Sequence, residues 1–221
     1  FEASVRQRQD ELLRLDRLTA EIDAELEALS HEIAEVRRSL SARGREPLDW
    51  GELRRPVPLS PLWGVDRGTP VDRYYVEGFL DAHRADIGGR VLEVKDPGYT
   101  VRFGGDRVTG VDVLDLDPAN ARATIVADLA RADAIASETF DCFILTQTVH
   151  IVFEIRSALS HAVRILKPGG VLLCTLPALG RINFENGGLD RGDFWRFTEA
   201  SVRRLFAELL PPEAFAVTVH G

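Results

Sequence analysis

The chain has 221 residues, 45% hydrophobic and 28% charged, enough for one α/β domain of ordinary size with an appendage. Its net charge of −8 and pI near 5.2 argue against a general nucleic-acid binder, because no basic excess is available to displace phosphate counterions. A small-molecule, glycan or protein acceptor is expected instead. No apolar run approaches the roughly 18 residues that span a bilayer, and no signal peptide is visible, so a cytoplasmic setting is expected.

Residues 1–42 read as an arm. Apolar residues fall on one heptad position at Val5, Leu12, Leu26, Ile33 and Leu40, and on the other at Phe1, Leu15, Ile22, Leu29 and Val36, interrupted by Thr19 and Arg8. This spacing predicts a long helix with a narrow apolar seam. A lone helix would leave that seam wet, so a homo-oligomer through the N-terminal helix is expected, tempered in a parallel pair by repulsion of Glu11 and Asp16 against attraction of Glu32 and Arg37, with a helix folded back on its own domain as the other reading. Residues 43–70 hold Gly44, Gly51, Gly64, Gly68 and Pro47, Pro56, Pro58, Pro61, Pro70, which forbid regular structure, although Trp63 and its apolar neighbours suit a segment laid against a domain.

The main domain is expected over 71–221. Val71 to Leu80 predicts a helix with Asp72 in its first turn. Gly88-Gly89-Arg90-Val91-Leu92-Glu93-Val94 reads as a buried parallel strand that delivers a turn, Lys95-Asp96-Pro97-Gly98-Tyr99. The next strand runs through Arg107-Val108-Thr109-Gly110-Val111 and stops on Asp112. An acid just past a second strand accepts from ribose hydroxyls in nucleotide-binding sheets, and this pair of features points to a nucleoside-containing cofactor. Asp115 and Asp117 read as solvated turn residues ahead of Pro118. Ala123 to Leu129 predicts a third strand, ending on Asp128, which also suits a helix cap.

Phe140-Asp141-Cys142-Phe143-Ile144-Leu145 predicts a central strand buried on both faces, with Thr146-Gln147-Thr148-Val149-His150 as its polar tip. Ile151 to Leu166 predicts an amphipathic helix, closed by Pro168-Gly169-Gly170. Val171 to Leu176 is a fifth strand, stopped by Pro177. Residues 178–192 are loop-like, Thr198 is placed to cap a helix from Glu199 to Leu210, and Ala214 to Val219 predicts a sixth strand. Cys142 and Cys174 fall in core strands, so neither a disulfide nor a metal site is expected. The chain starts at Phe1, contains no Met and stops at Val219-His220-Gly221, so both ends are expected to be cut.

The Phe140-Asp141 start and the Leu166-Lys167-Pro168-Gly169-Gly170 turn, in this order after Glu93 and Val108-Thr109-Gly110-Val111-Asp112, closely resemble class I S-adenosylmethionine-dependent methyltransferases over roughly residues 76 to 219. The resemblance implies a Rossmann-like α/β sheet with helices on both faces. It also implies S-adenosyl-L-methionine as cofactor and a cofactor set of Glu93, Gly98, Tyr99, Asp112 (ribose), Asp128 and Leu129 (adenine), with Thr146 and Gln147 beside the methionine part. The family's first turn resembles E-x-G-x-G-x-G. Here Lys95 and Pro97 stand where glycines are expected, so a differently shaped loop follows. Gly192-Asp193-Phe194-Trp195-Arg196-Phe197-Thr198 resembles a D-Y-W-R-F-T element in a bacterial branch of that family associated with cell-surface polysaccharide synthesis, which implies O-methylation of a sugar or glycan.

Several residues carry two readings. Tyr74 and Tyr75 either close the pocket over substrate or pack at the surface. Asp193, Trp195 and Arg196 either contact the acceptor, or Asp193 and Arg196 pair internally to fix their loop. His150 either takes a proton from an acceptor hydroxyl or is a solvated loop residue. The rival to an enzyme is a catalytically degenerate domain of the same fold, acting with the coiled coil as an interaction module.

Overall fold

The computed structural model describes residues 2–42, 60, 64–180, 182 and 192–220; within the first helix the side chains of 2–10, 12, 13, 16, 37 and 39–42 lie outside that description. The chain divides into two units, Phe1–Pro58 and Leu59–Gly221. In the first, α1 (Glu2–Ala42) is one unbroken helix, matching the heptad spacing. Its seam residues Leu15, Ile22, Leu26, Leu29, Ile33 and Val36 are all exposed. Trp63 and most of the 43–70 segment lie outside the described residues, while Ser60 is buried and bonded to Asp66.

The second unit is a five-stranded, wholly parallel sheet of order β3-β2-β1-β4-β5. Its elements are α2 (Val71–Ala82), β1 (Gly89–Val94), β2 (Val108–Asp115), β3 (Ile125–Val126), β4 (Phe140–Thr146), α3 (Ile155–Arg164), β5 (Leu166–Thr175) and α4 (Glu199–Ala207). Successive residues of the central strands serve opposite faces, as period-two side chains must. Leu92, Phe143 and Leu145 pack with Ile155, Leu159, Leu205 and Phe206, whereas Val91, Cys142 and Ile144 pack with Val76, Leu80 and Phe103. Both faces are therefore covered, which is the condition for a parallel sheet. Cys142 and Cys174 lie in β4 and β5 as expected, and burial pushes both thiols up to about 12.

The Leu-Lys-Pro-Gly-Gly run departs from its expected role. The helix before it starts later and ends earlier than the sequence suggested, at Ile155 and Arg164, and β5 begins at Leu166. The register jumps from Phe140↔Leu166 to Cys142↔Val171, so the intervening residues form a bulge inside the edge strand. Gly169 has φ +80, and a Cβ on Gly170 would lie 3.0 Å from the Lys167 carbonyl oxygen and 3.1 Å from that of Phe140. Lys167 Nζ then reaches the Asp141 carboxylate at 2.8 and 2.9 Å, and Asp141 also accepts from the Arg90 amide at 2.7 Å. These two donors hold the Asp141 carboxyl below its usual range. The motif is thus a staple at the amino edge of the sheet.

Three further expectations are corrected. The third strand is two residues long, because Thr124 and Ala127 flank it with single bonds to Val113 and Asp115 rather than extending the ladder. Helix α4 ends at Ala207, although Thr198 caps it as expected, in a reciprocal box with Ser201. Residues 214–219 form no strand: a short turn at Pro212–Ala214 is followed by chain that joins no ladder among the described residues.

Candidate cofactor and acceptor site

The chain leaves β1 for β2 and β3 and then crosses back to β4, so the topological switch falls between the carboxyl ends of β1 and β4. Open α/β sheets hold their ligands at that crevice. The flanking loops are built from the strand ends outward.

Glu93 organises the first loop. It is 3% exposed, and its carboxylate accepts from the Tyr99 amide at 3.0 Å and from the Thr100 amide and hydroxyl at 2.7 Å each. Burial raises its pKa; the Thr100 and Tyr99 bonds pull against this, and nearby Asp96 adds to the rise. Because the folded value lies above the unfolded one, the contribution of Glu93 to stability falls as pH rises through it. Glu93 therefore acts as an internal clamp on residues 99–100.

Lys95, at a position where the family pattern has glycine, adopts φ 73, the left-handed conformation glycine occupies freely. The loop keeps a glycine-like turn without glycine. The strain is held by two bonds: the Lys95 amide donates to Leu114 O at 2.9 Å, and its carbonyl accepts from Asn120 Nδ2 at 2.7 Å. Gly98 donates to Asp96 Oδ1 at 2.9 Å, and a Cβ there would lie 2.7 Å from that oxygen. The Tyr99 hydroxyl accepts from Arg73 at 2.6 Å, and its ring packs on the α2-side core. The side chain is thus engaged by Arg73 and that core.

The carboxylates sort differently from the sequence expectation. Asp112 lies three residues inside β2, opposite Leu92. It accepts from Arg90 Nε at 2.7 Å and from the Thr124 hydroxyl at 2.9 Å. Asp115 is the last residue of β2 and stands at the edge. It accepts from the Asp117 amide at 3.0 Å and from Asn120 Nδ2 at 2.6 Å. Burial alone would raise its pKa, but those bonds, the Leu116 amide and the charge of Lys95 outweigh it and leave the pKa lowered. Asn120 therefore ties the first loop to the second, a link the sequence reading missed. Asp128 accepts from the Ala130 amide at 2.9 Å, capping the turn that holds buried Leu129.

At the tip of β4, Thr146 is half-buried and Gln147 sits at φ 46. The Gln147 amide donates to the carbonyl of Thr175 at 3.0 Å and its hydroxyl oxygen at 3.2 Å. A non-glycine left-handed residue on each side of the crevice, Lys95 and Gln147, is the kind of stored strain that clusters at ligand sites.

The structure brings His150, Asp193, Trp195 and Arg196 together beyond this tip. The His150 carbonyl accepts from the Phe194 and Trp195 amides at 2.9 and 3.1 Å, and Trp195 Nε1 donates to Val152 O at 3.1 Å. The side chain of His150 is 13% exposed, with Nε2 3.4 Å from Asp193 Oδ1, so it is not a solvated loop residue. Arg196 pairs with Asp193 Oδ2 at 2.7 Å, as the internal-pair reading expected. Phe153, a residue the sequence reading passed over, packs against Phe194 and Trp195 and is 60% exposed. Tyr74 and Tyr75 lie apart from this cluster. They line a concavity of about 700 Å³ with Phe79, Arg102 and His220, Tyr75 stacking on His220.

Strand order and switch point together define a doubly wound α/β domain. Residues 96–174 match the family described as Methyltransferase domain. A search of the curated proteins returns no match. Among solved structures, the chain is similar to a SAM dependent methyltransferase from Archaeoglobus fulgidus, at 13% identity and TM-score 0.39 over 50% of this chain and 54% of that one. It is also similar to an O-methyltransferase family protein from Burkholderia thailandensis, at 16% identity and TM-score 0.45 over 62% and 51%. A third is the 1,6-didemethyltoxoflavin-N1-methyltransferase of Burkholderia thailandensis, with bound 1,6-didemethyltoxoflavin and S-adenosylhomocysteine, at 15% identity and TM-score 0.47 over 74% and 82%. The chain spans about half the length of the first solved structures it matches.

Proposed function

We propose that this chain is an S-adenosylmethionine-dependent methyltransferase acting on a hydroxyl of a sugar or glycan. The observation that carries the reading is the pair of left-handed residues, Lys95 and Gln147, flanking a switch-point crevice whose neighbouring strand end carries Asp115. When bound, the cofactor supplies a methyl group already activated on sulfur. The chain's work is then alignment and exclusion of water. Asp115 is assigned the ribose hydroxyls, Asp128 and the Leu129 amide the adenine, and Thr146 and Gln147 the methionine end. The left-handed turn at Lys95 fits a backbone cradle for such a group.

The acceptor reading is supported by the exposed aromatic faces of Phe153 and Trp195 beside His150, an apolar wall next to polar groups of the sort that seats a ring bearing hydroxyls. A reducing, cytoplasmic setting suits the free thiols of Cys142 and Cys174, and no helix of the described residues is long and apolar enough to cross a membrane. Calorimetric titration with S-adenosylhomocysteine tests the reading. Saturable binding in the micromolar range is expected; no heat at millimolar ligand from a folded chain would refute it.

We read the arm as pairing with a second copy through its exposed seam, since a lone helix with that face in water is marginal. Sedimentation of the full chain is expected to show a dimer or larger species that Leu26→Glu with Ile33→Glu converts to monomer. A monomeric wild type would end this assignment.

A further inference from the structure

His150 carries a feature that loop anchoring leaves unexplained. Its Nε2 faces Asp193 Oδ1 at 3.4 Å, yet its Nδ1 is shielded from water and has no hydrogen-bond partner. Buried polar atoms are nearly always satisfied, so an orphan calls for an explanation, and a catalytic role is one that such atoms have. The anchoring of Phe194 and Trp195 does not use the ring, because it runs through the His150 carbonyl and Val152 O. A Gln or Leu at this position would leave those bonds intact.

We propose that Asp193 is a positioning residue that fixes the imidazole proton of His150 on Nε2, so that bare Nδ1 is the proton-accepting atom of this site. Arg196 pairs with the other Asp193 oxygen at 2.7 Å. Among the described residues, the charged groups facing the ring are the Asp193 carboxylate and the Arg196 guanidinium. Burial lowers the His150 pKa, Asp193 works against that, and Arg196 adds to it, so the ring is neutral near pH 7, as a base must be.

The inference rests on the methyl-transfer reading and narrows its acceptor to a group that must give up a proton, an alcohol rather than a preformed anion. With the cofactor bound, His150 Nδ1 would take the hydroxyl proton as the methyl group passed from the sulfonium to the hydroxyl oxygen, the neutral thioether being the leaving group.

A nitrogen-detected spectrum of the full-length, uniformly labelled chain is the test. Expected in the wild type is a His150 ring with unprotonated Nδ1 and protonated Nε2, titrating below the ordinary imidazole value. Asp193→Asn, whose amide donates where the carboxylate accepted, is expected to move the proton to Nδ1 and lower the titration midpoint further; Arg196→Gln is expected to raise it. A wild-type ring protonated on Nδ1, or an Asp193→Asn spectrum and titration unchanged from wild type, would overturn the proposal. Should Asp193→Asn fail to fold, the wild-type tautomer and the Arg196→Gln titration still decide. Failure of cofactor binding would defeat the methyl-transfer reading and leave the tautomer untouched, whereas the wrong tautomer would defeat this inference alone.

Discussion

Glu93→Ala is expected to lower the stability of the main domain by about 3 kcal/mol, read as the shift of its urea midpoint at unchanged slope. The substitution orphans the Tyr99 amide and both the amide and hydroxyl of Thr100. Thr100 is 1% exposed, so water cannot replace the lost acceptor there. Each buried donor left unpaired costs on the order of 1–3 kcal/mol, and relief of a buried carboxylate returns part of the sum. The first loop lies between this clamp and the crevice, so cofactor affinity is expected to fall with it. A midpoint within about 0.5 kcal/mol of wild type would mean that Glu93 does not hold the loop.

Asp115→Ala is expected to weaken S-adenosylhomocysteine binding about 100-fold, while Asp112→Ala changes it less than about 3-fold. Loss of a charge-assisted pair of hydrogen bonds is worth about 2–3 kcal/mol, which is that factor in affinity. Asp112 is committed to Arg90 and Thr124, so its removal is a matter of stability, not binding. Asp115→Asn keeps an oxygen for the Asp117 amide and serves as the control for turn shape, with an intermediate loss expected. The reverse order of effects, Asp112 above Asp115, would return the ribose to the residue that spacing alone selects.

Much of this architecture was legible in the residues. The buried runs Val91-Leu92 and Cys142-Phe143-Ile144-Leu145 identify parallel central strands because a sheet covered on both faces needs continuous apolar sequence. Thr198 with Ser201 three residues on announces its cap. What was not legible depends on register and on distant partners. The V-x-G-x-D count stops β2 at Asp112, but Val113 and Leu114 are buried and carry the strand three residues further. The pair Val113-Leu114 ahead of Asp115 was the available signal. A lysine in a left-handed turn is not readable locally, since it is held by Asn120, 25 residues away. The Pro168-Gly169-Gly170 turn resembles a helix stop in isolation, yet Gly170 answers to close approach of β4 carbonyls, Gly169 to a left-handed backbone and Lys167 to Asp141. His150 and Asp193 lie 43 positions apart in the sequence and meet only because the 193–197 segment docks on the tip of β4.

The most direct measurement is a crystal structure of the chain with S-adenosylhomocysteine. The account predicts the adenosyl group across the ends of β1 and β4, with the ribose hydroxyls on Asp115 and the backbone of residues 95–98 against the ligand. A nucleoside bound elsewhere, or a crevice closed by Lys95 or Gln147 at saturating ligand, would contradict it.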